Sequence, residues 1–137
     1  TERVVFSTGL AASQAEEEAG SSTSVFSSPG RQQFHPSATK LWGRCGIAGD
    51  IASPDYNCDS VTDTGTGRAT VVITTDFSTA VYSAIANGIT DALHNAYSCI
   101  KNGSFAVGSF EIHHALGVGG TATDPNFGYT FAAWGDQ

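Results

Sequence analysis

RATVVITTDFSTAVYSAIANGITDALHNAYSCIKNGSFAVGSFEIHHA, residues 68–115, is the stretch whose reading decides the fold. Ala69 to Thr74 is rich in β-branched residues and reads as a strand. Ser78 is a residue of N-cap type. From it Val81, Ile85, Ile89, Ala92, Leu93, Ala96 and Ile100 recur at steps of three and four, the spacing of one helical face. Lys101 suits a helix C-terminus by its charge and Gly103 by its tolerance of left-handed backbone, while Asn87-Gly88 weakens the middle by roughly 1 kcal/mol. Phe105 to Leu116 then reads as a strand whose apolar positions change phase at Gly108, as a bulge produces. Strand, long helix, strand is the expectation for this half.

The first half has a similar outline. Arg3 to Ser7 reads as a short strand, and Leu10 to Ala19 as a helix stopped by Gly20, with Glu16, Glu17 and Glu18 at the unfavourable end of its dipole. Ser21 to Ser28 reads as an edge strand or loop, Pro29-Gly30 as a turn, and Thr39 to Trp42 as a strand. Gly46 to Gly67 reads as one long acidic loop, and loops of that length are commonly functional. Phe127, Tyr129 and Phe131 alternate as a last strand before Trp134. Val4–Gly9 matches Val71–Asp76 in pattern, and each half closes on Trp-Gly, at Trp42-Gly43 and Trp134-Gly135. The expected fold is therefore α+β: one domain over residues 1–137, a two-layer α/β sandwich of mostly antiparallel sheet with two helices on one face, with duplicated β-α-β-β units as its possible origin.

Composition narrows the function classes. Thirteen acids against six bases give a formal charge of −7, which disfavours neutralising nucleic-acid phosphates. No apolar run approaches the roughly 20 residues that span a bilayer. Charged residues make up only 14%, and Ser, Thr and Gly are abundant, a surface style common among extracellular proteins. The chain opens on Thr1 without an apolar leader, which reads as a processed or trimmed end. Cys45, Cys58 and Cys99 are disulfide candidates, an odd set that fits one bridge plus a spare thiol in a secreted protein, with the pairing open. Asn102-Gly103-Ser104 is a glycosylation sequon.

Glu111, His113 and His114 are the densest group of chemistry-bearing residues. On a strand Glu111 and His113 share a face, suited to general acid–base work, while His114 turns inward with Phe110 and Ile112. Asp91 and His94, one helical turn apart, read as a surface pair. Gly65-Thr66-Gly67 and Gly117–Gly120 lack the strand-then-helix setting of a phosphate loop and read as turns. Asp59, Val61 and Asp63 have calcium-loop spacing but the wrong middle residue. No cofactor or metal motif is present.

The leading expectation is a small secreted, acidic, non-enzymatic binding protein of toxin-like or effector-like kind, monomer or dimer, acting on a protein or cell-surface partner. The first alternative is a small secreted hydrolase or isomerase that uses Glu111 and His113, with His94 or His35 assisting. The second is a structural or self-assembling component, working through a spare cysteine or an exposed strand edge.

Overall fold

The structure is a computed structural model that describes residues 11–35, 37–90, 96–116, 120–125 and 128–137. It corrects the α+β expectation. Eight strands among the described residues form two four-stranded antiparallel sheets, and the one α-helix is six residues long. The strands are β1 (Leu41–Cys45), β2 (Ile51–Tyr56), β3 (Cys58–Gly65), β4 (Arg68–Ile73), β5 (Ser83–Gly88), β6 (Ala96–Ile100), β7 (Ser109–Leu116) and β8 (Tyr129–Trp134). One sheet runs β2-β1-β8-β5 and the other β3-β4-β7-β6. Their inward residues share one core: Leu41, Phe131 and Ala133 from the first, Val71, Phe110 and Ile112 from the second. The fold is a β-sandwich.

The expected long helix is absent, and its physical reason lies in the spacing. Steps of four satisfy a helical face, yet four is also a multiple of two, so Val81, Ile85 and Ile89 fall equally on one face of a strand. The chain takes the strand, because β5 pairs along its whole length with β8, from Ser83 opposite Trp134 to Gly88 opposite Tyr129. The stripe that looked like core points outward: Val81 is 87% exposed and Ile85 55%. Ala86, out of phase with it, is the buried residue. The far end of the same stretch is β6, paired with β7. Asp91 and His94 lie outside the described residues, as do the Arg3–Ser7 strand and residues 117–119 of the second glycine run. With no helix among the described residues between β4 and β7, the second expected β-α-β-β unit is not formed.

The expected acidic loop is also corrected, since Gly46–Gly67 contains β2 and β3. Both are sheet edges with mostly exposed side chains, so neither carries apolar alternation, and Pro54 sits where a missing N–H is tolerated. One residue, Asn57, turns the chain from β2 in one sheet to β3 in the other, in left-handed backbone at φ 60°. Its side chain latches the corner: Nδ2 donates to the carbonyls of Lys40 (3.0 Å) and Thr75 (3.1 Å), and Oδ1 accepts from the Thr75 N–H (2.7 Å).

Other elements follow the sequence. β4 buries Ala69, Val71 and Ile73, and β8 buries Tyr129, Phe131 and Ala133, both in strict alternation. The phase change at Gly108 is a tight turn, with Ala106 and Ser109 exchanging backbone hydrogen bonds just before β7. Helix α1 (Gln14–Ala19) starts later than expected, at Ser13, which forms a reciprocal capping box with Glu16. Glu16 and Glu17 therefore sit in its first turn, the favourable end of the dipole. Gly20 ends it in left-handed backbone at φ 59°.

No disulfide forms. Cys45 is buried on β1, Cys58 half-buried on β3 and Cys99 exposed on β6, and all three are free thiols. Cys45 and Cys99 occupy different sheets and opposite sides of them, while the Cys58 Sγ lies 3.9 Å from the Ser60 carbonyl. The bridge that would have tied the chain to an oxidising compartment is missing, so the cysteines lend secretion no support. Among the described residues no helix is long and apolar enough to cross a membrane.

Candidate functional site

The two outward sheet faces differ in chemistry. On β7, Phe110, Ile112 and His114 are buried, so Glu111 and His113 face outward together, as alternation requires. His113 Nε2 is hydrogen-bonded to Glu111 Oε1, and Lys101 Nζ lies 3.2 Å from Glu111 Oε2. The His113 hydrogen bond and then the Lys101 contact hold the Glu111 carboxyl below the usual carboxylate range. Strand register brings two further residues into the row. Arg68 on β4 and Cys99 on β6 lie directly opposite His113 on its two sides. Cys99 is a bridge candidate by sequence, and its position beside His113 depends on a register that no local pattern encodes. Arg68, His113 and Cys99, with Tyr97, Ala115 and Ala122, line an open cavity of about 220 Å³. Asn102 of the sequon sits in the exposed turn after β6, where Gly103 takes φ 77°.

His114 has the opposite environment. Its ring is buried in the sandwich, with Nδ1 2.8 Å from Ser98 Oγ, which also accepts the Gly88 N–H at 2.6 Å. Its ring meets Tyr129 edge-on at 6.1 Å. Burial pushes the His114 pKa down, with Asp124 opposing, and pushes the Tyr129 hydroxyl up. His114 Nε2 and the Tyr129 hydroxyl have no hydrogen-bond partner among the described residues. Gly88 is required here, because a Cβ on it would lie 2.5 Å from the His114 ring.

The outer face of the β2-β1-β8-β5 sheet carries an apolar row and no acid. Tyr56, Trp42, Ala132 and Ile85 lie in register across all four strands, with Trp42 and Tyr56 each 40% exposed. Arg44 is the one charged residue at the outward positions of these strands, in a chain with thirteen acids. Asp55 takes the other side of β2, its Cβ 3.6 Å from where a Cβ of buried Gly43 would stand. Hollows adjoin both ends of the row: about 150 Å³ beside Tyr56, bounded also by Gln33 and Phe34, and about 160 Å³ between Ile85, Asn87 and Thr130. The signal in the sequence was L-W-G-R-C, in which Leu41, Gly43 and Cys45 turn inward and so send Trp42 and Arg44 out together.

The two tryptophans and the Glu111–His113 pair lie on different sheets, and among the described residues Tyr97 is the aromatic side chain that lines the cavity at His113. Asp59 and Asp63 lie on β3, and no group of three or more His, Cys, Asp or Glu among the described residues could hold a metal ion. Set against known protein families, curated proteins and solved structures, the chain matches none of them.

Proposed function

We propose that this β-sandwich is a non-catalytic interaction module that docks a protein partner, at a cell surface or in a second copy of the chain, through the outer face of the β2-β1-β8-β5 sheet. The observation that carries this reading is the Tyr56–Trp42–Ala132–Ile85 row on a face whose outward positions hold a single charge. Acidic residues are costly where they would be desolvated, and their exclusion from one face of so acidic a protein is what a surface covered in use requires. Trp, Tyr and Arg are also the residue types on which binding energy concentrates. The sheet edges are poor docking sites by comparison, because β5 approaches β6 and β2 runs directly into β3.

The test is sedimentation of the protein alone, followed by binding to a cell-surface preparation, each repeated with Trp42→Ala and Ile85→Asp. Loss of the wild-type interaction in both variants, with cooperative thermal unfolding retained and its midpoint lowered by no more than about 5 °C, is the expected result. An interaction that survives both, or a wild-type chain that associates with neither itself nor the cells, would overturn the reading.

The Glu111–His113 hydrogen bond favours a second reading, a small hydrolase or isomerase. Hydrolysis of a panel of ester and peptide substrates that disappears in Glu111→Gln and His113→Ala would replace the first reading with this one.

A further inference from the structure

We propose that Cys99 is a modification site that forms mixed disulfides with small anionic disulfides, with His113 taking the thiol proton and Arg68 holding a carboxylate of the incoming molecule. This goes beyond the docking face, which lies on the other sheet.

Cys99 does not stand alone. Arg68, His113 and Cys99 occupy one row across β4, β7 and β6, so neighbouring strands set them about 4.8 Å apart and the row spans about 10 Å. That span suits a ligand of dipeptide size that carries a sulfur at one end and a carboxylate at the other. The cavity of about 220 Å³ over the row has the volume for it and opens to solvent. The local charge is also right. Arg68 and Lys101, two of the six basic residues, flank this face, and Glu111 is the one acid at the outward positions of β4, β6 and β7. An anion repelled by the rest of the chain meets a cation here.

Glu111 fixes the chemistry of His113. By accepting a hydrogen bond from Nε2 it leaves Nδ1 as the nitrogen that takes a proton, the arrangement of an oriented base beside a nucleophile. In the step, His113 accepts the proton of the Cys99 thiol, and the thiolate attacks one sulfur of the disulfide. A new bond joins Cys99 Sγ to that sulfur as the original S–S bond breaks. The leaving thiolate then takes the proton from His113 and departs as a thiol. The disulfide is itself the oxidant, and no other reactant is consumed.

The other two thiols are internal comparators. Cys45 is fully buried, and burial pushes its pKa up. Cys58 is half-buried and pushed up to about 11 by burial and then by Asp55, Cys45 and Asp59. Neither presents a thiolate near neutral pH.

The experiment follows adduct formation by intact mass on the full chain at pH 6 to 9, with glutathione disulfide as the anionic probe and cystamine as the cationic one. One adduct is expected, on Cys99 and absent from Cys99→Ser, forming about tenfold faster with glutathione disulfide than with cystamine. Arg68→Gln should abolish that preference. His113→Ala should slow the reaction about tenfold or more at pH 7, and its rate should then rise with pH as a simple thiol's does. Arg68 is exposed and His113 32% exposed, so both variants should fold, and unchanged unfolding midpoints check this. No adduct, equal labelling of Cys45 or Cys58 in the folded chain, or rates and charge preference indifferent to both substitutions would overturn the proposal.

Discussion

Trp42 lies directly opposite Tyr56 across the β1–β2 ladder, and both side chains face solvent on the outside of the sandwich. Aromatic cross-strand pairs stabilise a sheet by roughly 0.2–1 kcal/mol, too little to explain two large rings left half in water. Trp42→Ala should therefore lower unfolding stability by no more than about 1 kcal/mol, measured by urea titration. A loss of several kcal/mol would make Trp42 a packing residue and remove the reason to assign it to docking.

Asn57 should matter far more than its place at a corner suggests. It holds three hydrogen bonds and a left-handed backbone that Asn tolerates and Ala does not. Asn57→Ala should cost about 2–4 kcal/mol in the same titration. Asn57→Gly removes the backbone penalty and should recover about 1 kcal/mol of that loss. Equal stability of the two variants would mean that the φ of 60° carries no cost.

Ser98 ties β6 to β5 by bonding both the Gly88 N–H and His114. Ser98→Ala leaves those groups without that partner and should cost about 1–3 kcal/mol. Faster exchange of the Gly88 amide is the specific signature, and an unchanged rate would show that another group satisfies it.

Stability should fall as pH drops through the range where a free histidine titrates. The pKa of His114 is lowered by burial, so below the unfolded value of about 6.5 the unfolded chain binds a proton that the folded one does not. Its contribution is complete above that value and is lost as pH falls toward the folded pKa, at up to about 1.4 kcal/mol per pH unit. Urea titrations at pH 7.5, 6.5 and 5.5 should show this loss in the wild type and a smaller one in His114→Gln. Identical slopes in the two would assign the effect elsewhere.

What the sequence made legible follows from how each residue signals. β4 is readable because Thr70, Val71, Val72 and Ile73 form a β-branched run, and β8 because Tyr129 and Phe131 alternate. β7 was readable enough to place Glu111 and His113 on one face and His114 inside. β5 was misread because Ile85 and Ile89, four apart, satisfy both periods, and only pairing with β8 decides between them. β2 and β3 were invisible because edge strands such as Ile51–Tyr56 bury almost nothing. The Cys99–His113 and Trp42–Tyr56 neighbours each join separate strands, and register is set by the whole sheet rather than by either segment.

Photo-crosslinking from the centre of the apolar row tests the docking face most directly. A benzophenone side chain placed at Ala132, and in a second protein at Thr70 on the outward face of the other sheet, is irradiated with the chain alone and on a cell-surface preparation. Adducts from position 132, to a second copy or to a surface protein, with few from position 70, are expected. Equal yields from the two positions, or none from 132, would contradict a docking role for this face.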